Sequence, residues 1–293
     1  MTLRINWKPI TTFIAGSAAL LAACGSSDAE PDDVRIHVVT STGLLADIVS
    51  NVAGDAASVD SVIPANADAH TFSLTPGDAR QIADADIVFV IGADFSAAED
   101  EMRGLADGTV VTLTDGLQPT DFEADPLDPH FWLDPTLVAA VTEVIQITLA
   151  NTDPSHAADY GLRAEAYRDD LGALDKELAE LFGTGEPGKR PLLVTFHDAF
   201  GYLARRYDLT VLGFVVEGPE EEPSAADIAA LIDQMKHEGA KVIFKEPQFD
   251  ARVVEQVAAD ADADVRDLPS ATLTDDCPTY VDLMRTIAAV ILE

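Results

Sequence analysis

"DPSHAADYGLRAEAYRDDLGALDKELAELFG", residues 153–183, decides how the rest of the chain is read. Its apolar residues recur at helical spacing, and no proline follows Pro154. Asp153-Pro154 or Ser155 can open a helix, and Gly183 can close it. The spacing predicts one long helix set between two stretches of a different kind.

Upstream, strand-like and helix-like segments alternate. "VRIHVVT" (34–40) reads as a strand, "GLLADIVSNVAG" (43–54) as a helix, "SVDSVIP" (58–64) as a strand, "TPGDARQIADA" (75–85) as a helix and "DIVFVIGA" (86–93) as a strand. A helix "PTLVAAVTEVIQITLA" (135–150) precedes the long one. Downstream the alternation returns. Strands "PLLVTF" (191–196), "TVLGFVV" (210–216) and "AKVIFKE" (240–246) are followed by helices at 199–207, 224–239 and 250–261, and a last helix closes the chain near 278–292. Such βαβ alternation implies an α/β fold with two lobes, each a mostly parallel sheet flanked by helices. We read residues 34–152 as the N-terminal lobe, 153–184 as the linker helix and 185–293 as the C-terminal lobe. Length and composition agree, since 293 residues at 47% hydrophobic content suffice for one large or two medium domains of about 100–200 residues.

The beginning of the chain is set aside from the fold. Residues 1–23 carry Arg4 and Lys8, then a short apolar run, in the layout of a secretory signal. Leu21-Ala22-Ala23-Cys24 resembles the bacterial lipobox, which implies cleavage before Cys24 and a lipid on its sulfur. The alternative is an ordinary signal whose cleavage site happens to hold a cysteine. Residues 24–33 are small and acidic, as expected of a solvated tether. These features predict an exported protein anchored to the membrane through Cys24, facing the extracytoplasmic space or periplasm. Of the two cysteines, Cys277 then has no partner, so there is no disulfide framework.

The net charge of −34 repels nucleic acid and anionic lipid, and attracts cations only diffusely. Adaptation to salt or simple solubility is the simpler explanation, so acidity names no ligand.

Six histidines are present. His37 lies within the first strand pattern, His156 in the first turn of the long helix and His237 near a helix end, where a cation suits the dipole. His37 is read as a packed or edge-facing strand residue, and the other two as surface residues. His70, His130 and His197 are different, because all three fall on strand-to-helix loops, where open parallel sheets bind ligands. Three neutral imidazoles from separate loops can converge on one ion, and a nitrogen-rich set suits Zn²⁺. Asp68, Asp128, Asp134 and Asp198 stand near them in sequence and can orient the rings. Asp134 can equally cap the helix that Pro135 begins.

At these residues the chain resembles a known family. "DAHTFSLTPGDAR" (68–80), "DPHFWLDP" (128–135), "TFHDAFGYLARRYDL" (195–209), "EGPEEEPSAADIAALI" (217–232) and "TYVDLMRTI" (279–287) are similar, in order, to the solute-binding lipoproteins of bacterial zinc and manganese ABC importers, the cluster A-I metal-binding proteins. The resemblance runs from about residue 34 to the C-terminus. It implies two α/β lobes joined by one long helix, no enzymatic activity, and a monomer that delivers its cargo to a membrane permease. It also implies metal ligands at His70, His130 and His197 with a carboxylate as the usual fourth. Manganese members tend to carry Glu at the third position and zinc members His, so His197 favours Zn²⁺ over Mn²⁺ as cargo.

Two departures stand out. Relatives often carry an aspartate before the last helix where "DLPSATL" (267–273) places Ala271, and alanine cannot ligate. The fourth position is left to water, Glu246, Asp275 or Asp276, and Glu246 can equally be a structural ion-pair partner. The long histidine-rich loop of many zinc members is also missing from "PTDFEADPLDPH" (119–130). The competing readings are the same receptor role with Mn²⁺ or Fe²⁺, a metal-dependent surface adhesin, and a zinc hydrolase. The last has no H-E-x-x-H or similar signature to support it.

Overall fold

The computed structural model describes residues 35–65, 67–117, 128–183, 191–218 and 221–293. The signal segment, Cys24, the acidic tether and the acidic residues 119–127 lie outside the described residues.

Four parallel strands form the first sheet: β1 (Ile36–Thr42), β2 (Ala57–Ile63), β3 (Ile87–Val90) and β4 (Thr109–Thr112), in the order β2-β1-β3-β4. The second sheet contains β5 (Leu192–His197), β6 (Thr210–Val216), β7 (Val242–Lys245) and β8 (Asp264–Asp267), in the order β6-β5-β7-β8. The two orders are the same. So is the way each central strand ends: Thr40 Oγ1 donates to the Thr42 carbonyl at 2.9 Å, and Thr195 Oγ1 to the His197 carbonyl at 2.8 Å. Both bonds are buried and give the last carbonyl of the strand a side-chain donor.

Helix α1 (Gly43–Ala53) starts at Thr42, whose hydroxyl accepts from Leu45 N, and stops at Gly54 with φ +55. Glycine suits this position because φ +55 with ψ −143 is a backbone conformation that residues with a Cβ rarely adopt. Helix α2 (Pro76–Ala83) opens with a capping box between Thr75 and Asp78. Helices α3 (Ala97–Leu105) and α4 (Pro135–Thr152) complete the first lobe.

The predicted linker is a short 3₁₀ turn, Pro154–His156, followed by α5 (Ala157–Gly183), 27 residues long. Its buried residues are Tyr160, Ala164, Tyr167, Leu171, Leu174, Leu178 and Phe182. That three-and-four spacing puts one stripe against α4, on which α5 folds back, and against α1. In the second lobe, α6 (Gly201–Tyr207), α7 (Ala225–Glu238) and α8 (Arg252–Ala261) follow β5, β6 and β7. The last helix, α9 (Tyr280–Leu292), returns to pack on α5 and α1. Its first residue donates from Tyr280 N to Asp47 Oδ2 at 2.9 Å, and Arg285 forms a two-pronged ion pair with Glu177. One apolar core therefore runs from α1 through α4, α5 and α6 to α9.

Three elements appear that the sequence pattern does not announce: α3, β4 and β8. β8 reads "DVRD" and lies at the sheet edge with both aspartates exposed, so its pairing to β7, not apolar burial, makes it a strand.

Candidate metal centre

His70, His130 and His197 come together, with one nitrogen from each lying within 4.8 Å of the others, and they form the one such cluster among the described residues. The three ring centroids are 5.2 to 5.6 Å apart. His130 and His197 are buried, and His70 is partly so.

Each ring is turned by a different partner. His70, on the loop between β2 and α2, donates from Nδ1 to the Phe95 carbonyl at 2.9 Å and packs on the Phe95 ring, with centroids 4.7 Å apart. A carbonyl only accepts, so the proton is on Nδ1 and the lone pair on Nε2. His130, just ahead of the 3₁₀ turn Phe131–Leu133, donates from Nδ1 to Asp128 Oδ1 at 2.8 Å, and its backbone N–H reaches the same oxygen at 2.9 Å. Trp132 stands against it edge-on. His197 ends β5, and Glu246 Oε1 lies 2.5 Å from its Nδ1. That approach lacks the alignment of a hydrogen bond, and both Glu246 oxygens are buried without a hydrogen-bond donor among the described residues. The pair is thus an electrostatic contact through the edge of the ring.

With Nδ1 of His70 and His130 engaged as donors, their Nε2 lone pairs are left for the space between the rings. The Nε2 atoms of His130 and His197 stand 3.3 Å apart across that space. At that distance the two nitrogens share a proton or take a cation between them. Protonation is disfavoured at His70, where burial first, then the neighbouring His130 and His197, push the imidazole down to about 3 against the opposing pull of the Phe95 carbonyl. His70 is therefore held as a neutral nitrogen donor.

The cavity between the lobes measures about 50 Å³ and is lined also by Thr42, Phe95, Trp132, Gln248, Ser270 and Ala271. It has room for an ion and a water, but not for the organic substrate that a hydrolase would need.

The other sequence-predicted residues are placed as follows. Asp128 holds the His130 ring. Asp68 binds the His70 backbone N–H at 3.1 Å and the Thr71 hydroxyl, not the ring. Asp134 caps α4 through Thr136, as its alternative reading had it, and burial raises its carboxyl above the ordinary range. Asp198 is exposed beyond the strand end. Asp275 and Asp276 are exposed in a tight turn closed between Thr274 and Cys277, away from the cavity lining. Glu246 stands behind His197 and is not part of the three-nitrogen cluster. Ala271 does line the cavity. His37 pairs with Asp60 and His156 with Asp153, both as structural residues. The Phe95 carbonyl, a main-chain group, and Gln248 were not signalled by the sequence.

Known proteins resemble this chain along nearly its whole length. It is 30% identical to the high-affinity zinc uptake system protein ZnuA of Brucella abortus, over 96% of this chain and 97% of that one. It is 28% identical to the manganese-binding lipoprotein MntA of Halalkalibacterium halodurans, over 95% of each. Among solved structures, a Mn-bound periplasmic metal binding protein from candidatus liberibacter asiaticus superposes with a TM-score of 0.76 at 26% identity, covering 88% of this chain and 98% of that one. The family model described as zinc-uptake complex component A, periplasmic (ZnuA), matches residues 38–293, and the chain belongs to that family of metal-uptake receptors, which are binding proteins and not enzymes.

Proposed function

We propose that this protein is an extracytoplasmic receptor that captures Zn²⁺ between its lobes on the Nε2 atoms of His70, His130 and His197 and hands it to the permease of an ABC importer. The observation that carries the reading is the convergence of three imidazoles from separate loops in a buried cluster, with the Nε2 atoms of His130 and His197 3.3 Å apart. A divalent cation set among them takes up those nitrogens as ligands. Asp128 and the Phe95 carbonyl act on the far side of the His130 and His70 rings, fixing which nitrogen faces the ion and making it a better donor, and Glu246 stands behind His197.

Zinc is favoured by the donors themselves, since three imidazoles with no carboxylate among them suit Zn²⁺ better than Mn²⁺. The manganese-binding relative and the manganese-bound structural neighbour support Mn²⁺ as the second reading. The lipobox-like Leu21-Ala22-Ala23-Cys24 supports anchoring through lipid on Cys24, and the lipoprotein name of the manganese-binding relative supports it further. No described helix is long and apolar enough to cross a membrane. We place the lobe boundaries at 34–152 and 185–293 with residues 153–184 between them, and take the receptor to act as a monomer.

The test is metal content followed by competition. The purified protein is stripped with chelator and titrated with Zn²⁺ and Mn²⁺, beside His197→Ala. One equivalent of Zn²⁺, lost in the variant and not displaced by excess Mn²⁺, is the expected result. Absence of stoichiometric metal would remove the receptor reading, and preference for Mn²⁺ would replace its cargo.

A further inference from the structure

The loop after β7 wraps His197. Glu246-Pro247-Gln248-Phe249 forms a tight turn in which Phe249 N donates to the Glu246 carbonyl at 3.2 Å. Pro247 at the second position suits such a turn, since its ring presets the backbone angle needed there. Glu246 meets the Nδ1 side of His197, and the Phe249 ring stands edge-on to the imidazole with centroids 5.7 Å apart. The remaining turn residue, Gln248, lines the same small cavity as the three histidines. Its Oε1 is buried and receives no hydrogen bond among the described residues.

A buried amide oxygen without a donor is rare, because the group gives up water on folding and takes nothing in return. Exceptions of this kind mark the place of an ion or an ordered water. Here the unpaired acceptor shares a wall with a three-nitrogen cluster to which no carboxylate is added. Ala271 lines the cavity without offering a donor, and Asp275 and Asp276 are exposed and not part of its lining. Asp68 does line it, but its two oxygens accept from the His70 N–H and the Thr71 hydroxyl. We propose that Gln248 completes the metal site, its side-chain oxygen serving as the neutral oxygen at the fourth position. The inference rests on the receptor reading above and adds one residue to it. A neutral oxygen leaves the site with the full charge of its cation, so it holds the ion less tightly than a carboxylate would and gives less advantage to Mn²⁺.

The experiment compares wild type with Gln248→Ala and Gln248→Glu by Zn²⁺ and Mn²⁺ titration and by the visible spectrum of the Co²⁺-loaded protein, which reports the donors around the ion whether or not transport is measured. Expected for Gln248→Ala is a Zn²⁺ affinity lower by about tenfold or more, an altered Co²⁺ spectrum and an unchanged metal-free melting temperature. Gln248→Glu, which keeps the side-chain length and guards against a folding defect in the alanine variant, is expected to shift the Zn²⁺/Mn²⁺ affinity ratio toward Mn²⁺. If both variants match wild type in affinity ratio and spectrum, Gln248 is overturned while the three-histidine receptor stands. If wild type itself takes up no ion, the receptor reading falls and this proposal falls with it.

Discussion

The Tyr280 hydroxyl donates to the main-chain carbonyl of Trp132 at 2.7 Å. Both residues are fully buried, and Trp132 in turn donates from its indole nitrogen to the Ser270 carbonyl at 2.8 Å. The first residue of the closing helix therefore pins the loop that carries His130 two positions earlier. The same helix packs on α5, so the site's second histidine is held by a helix distant from it in sequence.

Tyr280→Phe removes that bond and little else. Loss of one buried hydrogen bond, with its acceptor left unmet, is expected to lower stability by about 1–3 kcal/mol. Urea denaturation of the metal-free protein measures it, and an unchanged midpoint would mean that the hydroxyl contributes nothing net.

Asp128→Ala frees the His130 ring while leaving its nitrogen in the sequence. Removing a carboxylate that orients a ligating histidine typically lowers metal affinity by about 10–100-fold. Calorimetric Zn²⁺ titration should show that loss with the far-ultraviolet circular dichroism unchanged. Affinity equal to wild type would show that the loop orients His130 without Asp128.

Glu99 acts on His70 at one remove. Its buried carboxylate accepts from Ile91 N at 2.7 Å and Gly92 N at 2.9 Å. It thereby clamps a turn in which Gly92, Ala93 and Asp94 all take positive φ, and whose next residue, Phe95, offers its carbonyl to His70. Glu99→Ala leaves two backbone donors buried and unpaired, an expected cost of about 2–6 kcal/mol at roughly 1–3 per group. It should also weaken Zn²⁺ binding as the Phe95 carbonyl drifts. Chemical denaturation and titration on one sample check both, and wild-type values in either would break the proposed relay.

Asp153 sets an acid limit. Its slight burial pushes its carboxyl upward, but hydrogen bonds from Ser155, His156 and Tyr160 outweigh this and hold it down at about 2 against an ordinary 3.8. A depressed acid stabilises the fold above its unfolded value and loses that contribution as pH falls through the folded one. The melting temperature of Asp153→Asn should therefore fall less steeply than that of wild type between about pH 4 and pH 2. Parallel curves would show that the Asp153 bonds carry no linkage.

The long periodic elements were legible because burial and spacing coincide in them. The Tyr160 to Phe182 stripe of α5 is visible in the sequence because three-and-four repetition over many turns lines up on one side of a helix and of nothing else. The three histidines were legible for a different reason: His70 and His197 follow segments that already read as strands, His130 sits in a proline-punctuated loop just before a helix, and such loops are where open sheets bind. What escaped is what has no side-chain signature. β8 is charged and short, and only its hydrogen bonds to β7 make it a strand. The Phe95 carbonyl is a main-chain atom delivered by a left-handed turn, so no residue type announces it. Asp128 and Asp134 look alike in "DPHFWLDP", yet one holds a ring and the other a helix end, a division set by which of them precedes the helix.

The matched closure of the two central strands separates backbone from side chain at the end of each. Thr40 fixes the carbonyl of Thr42 and Thr195 that of His197, so in both halves the last strand residue is anchored through its backbone. In one half that residue starts a helix, and in the other it presents a nitrogen to the cavity. The His197 ring is held by a second set of contacts, Glu246 and Phe249, so the strand end and the ring have independent moorings.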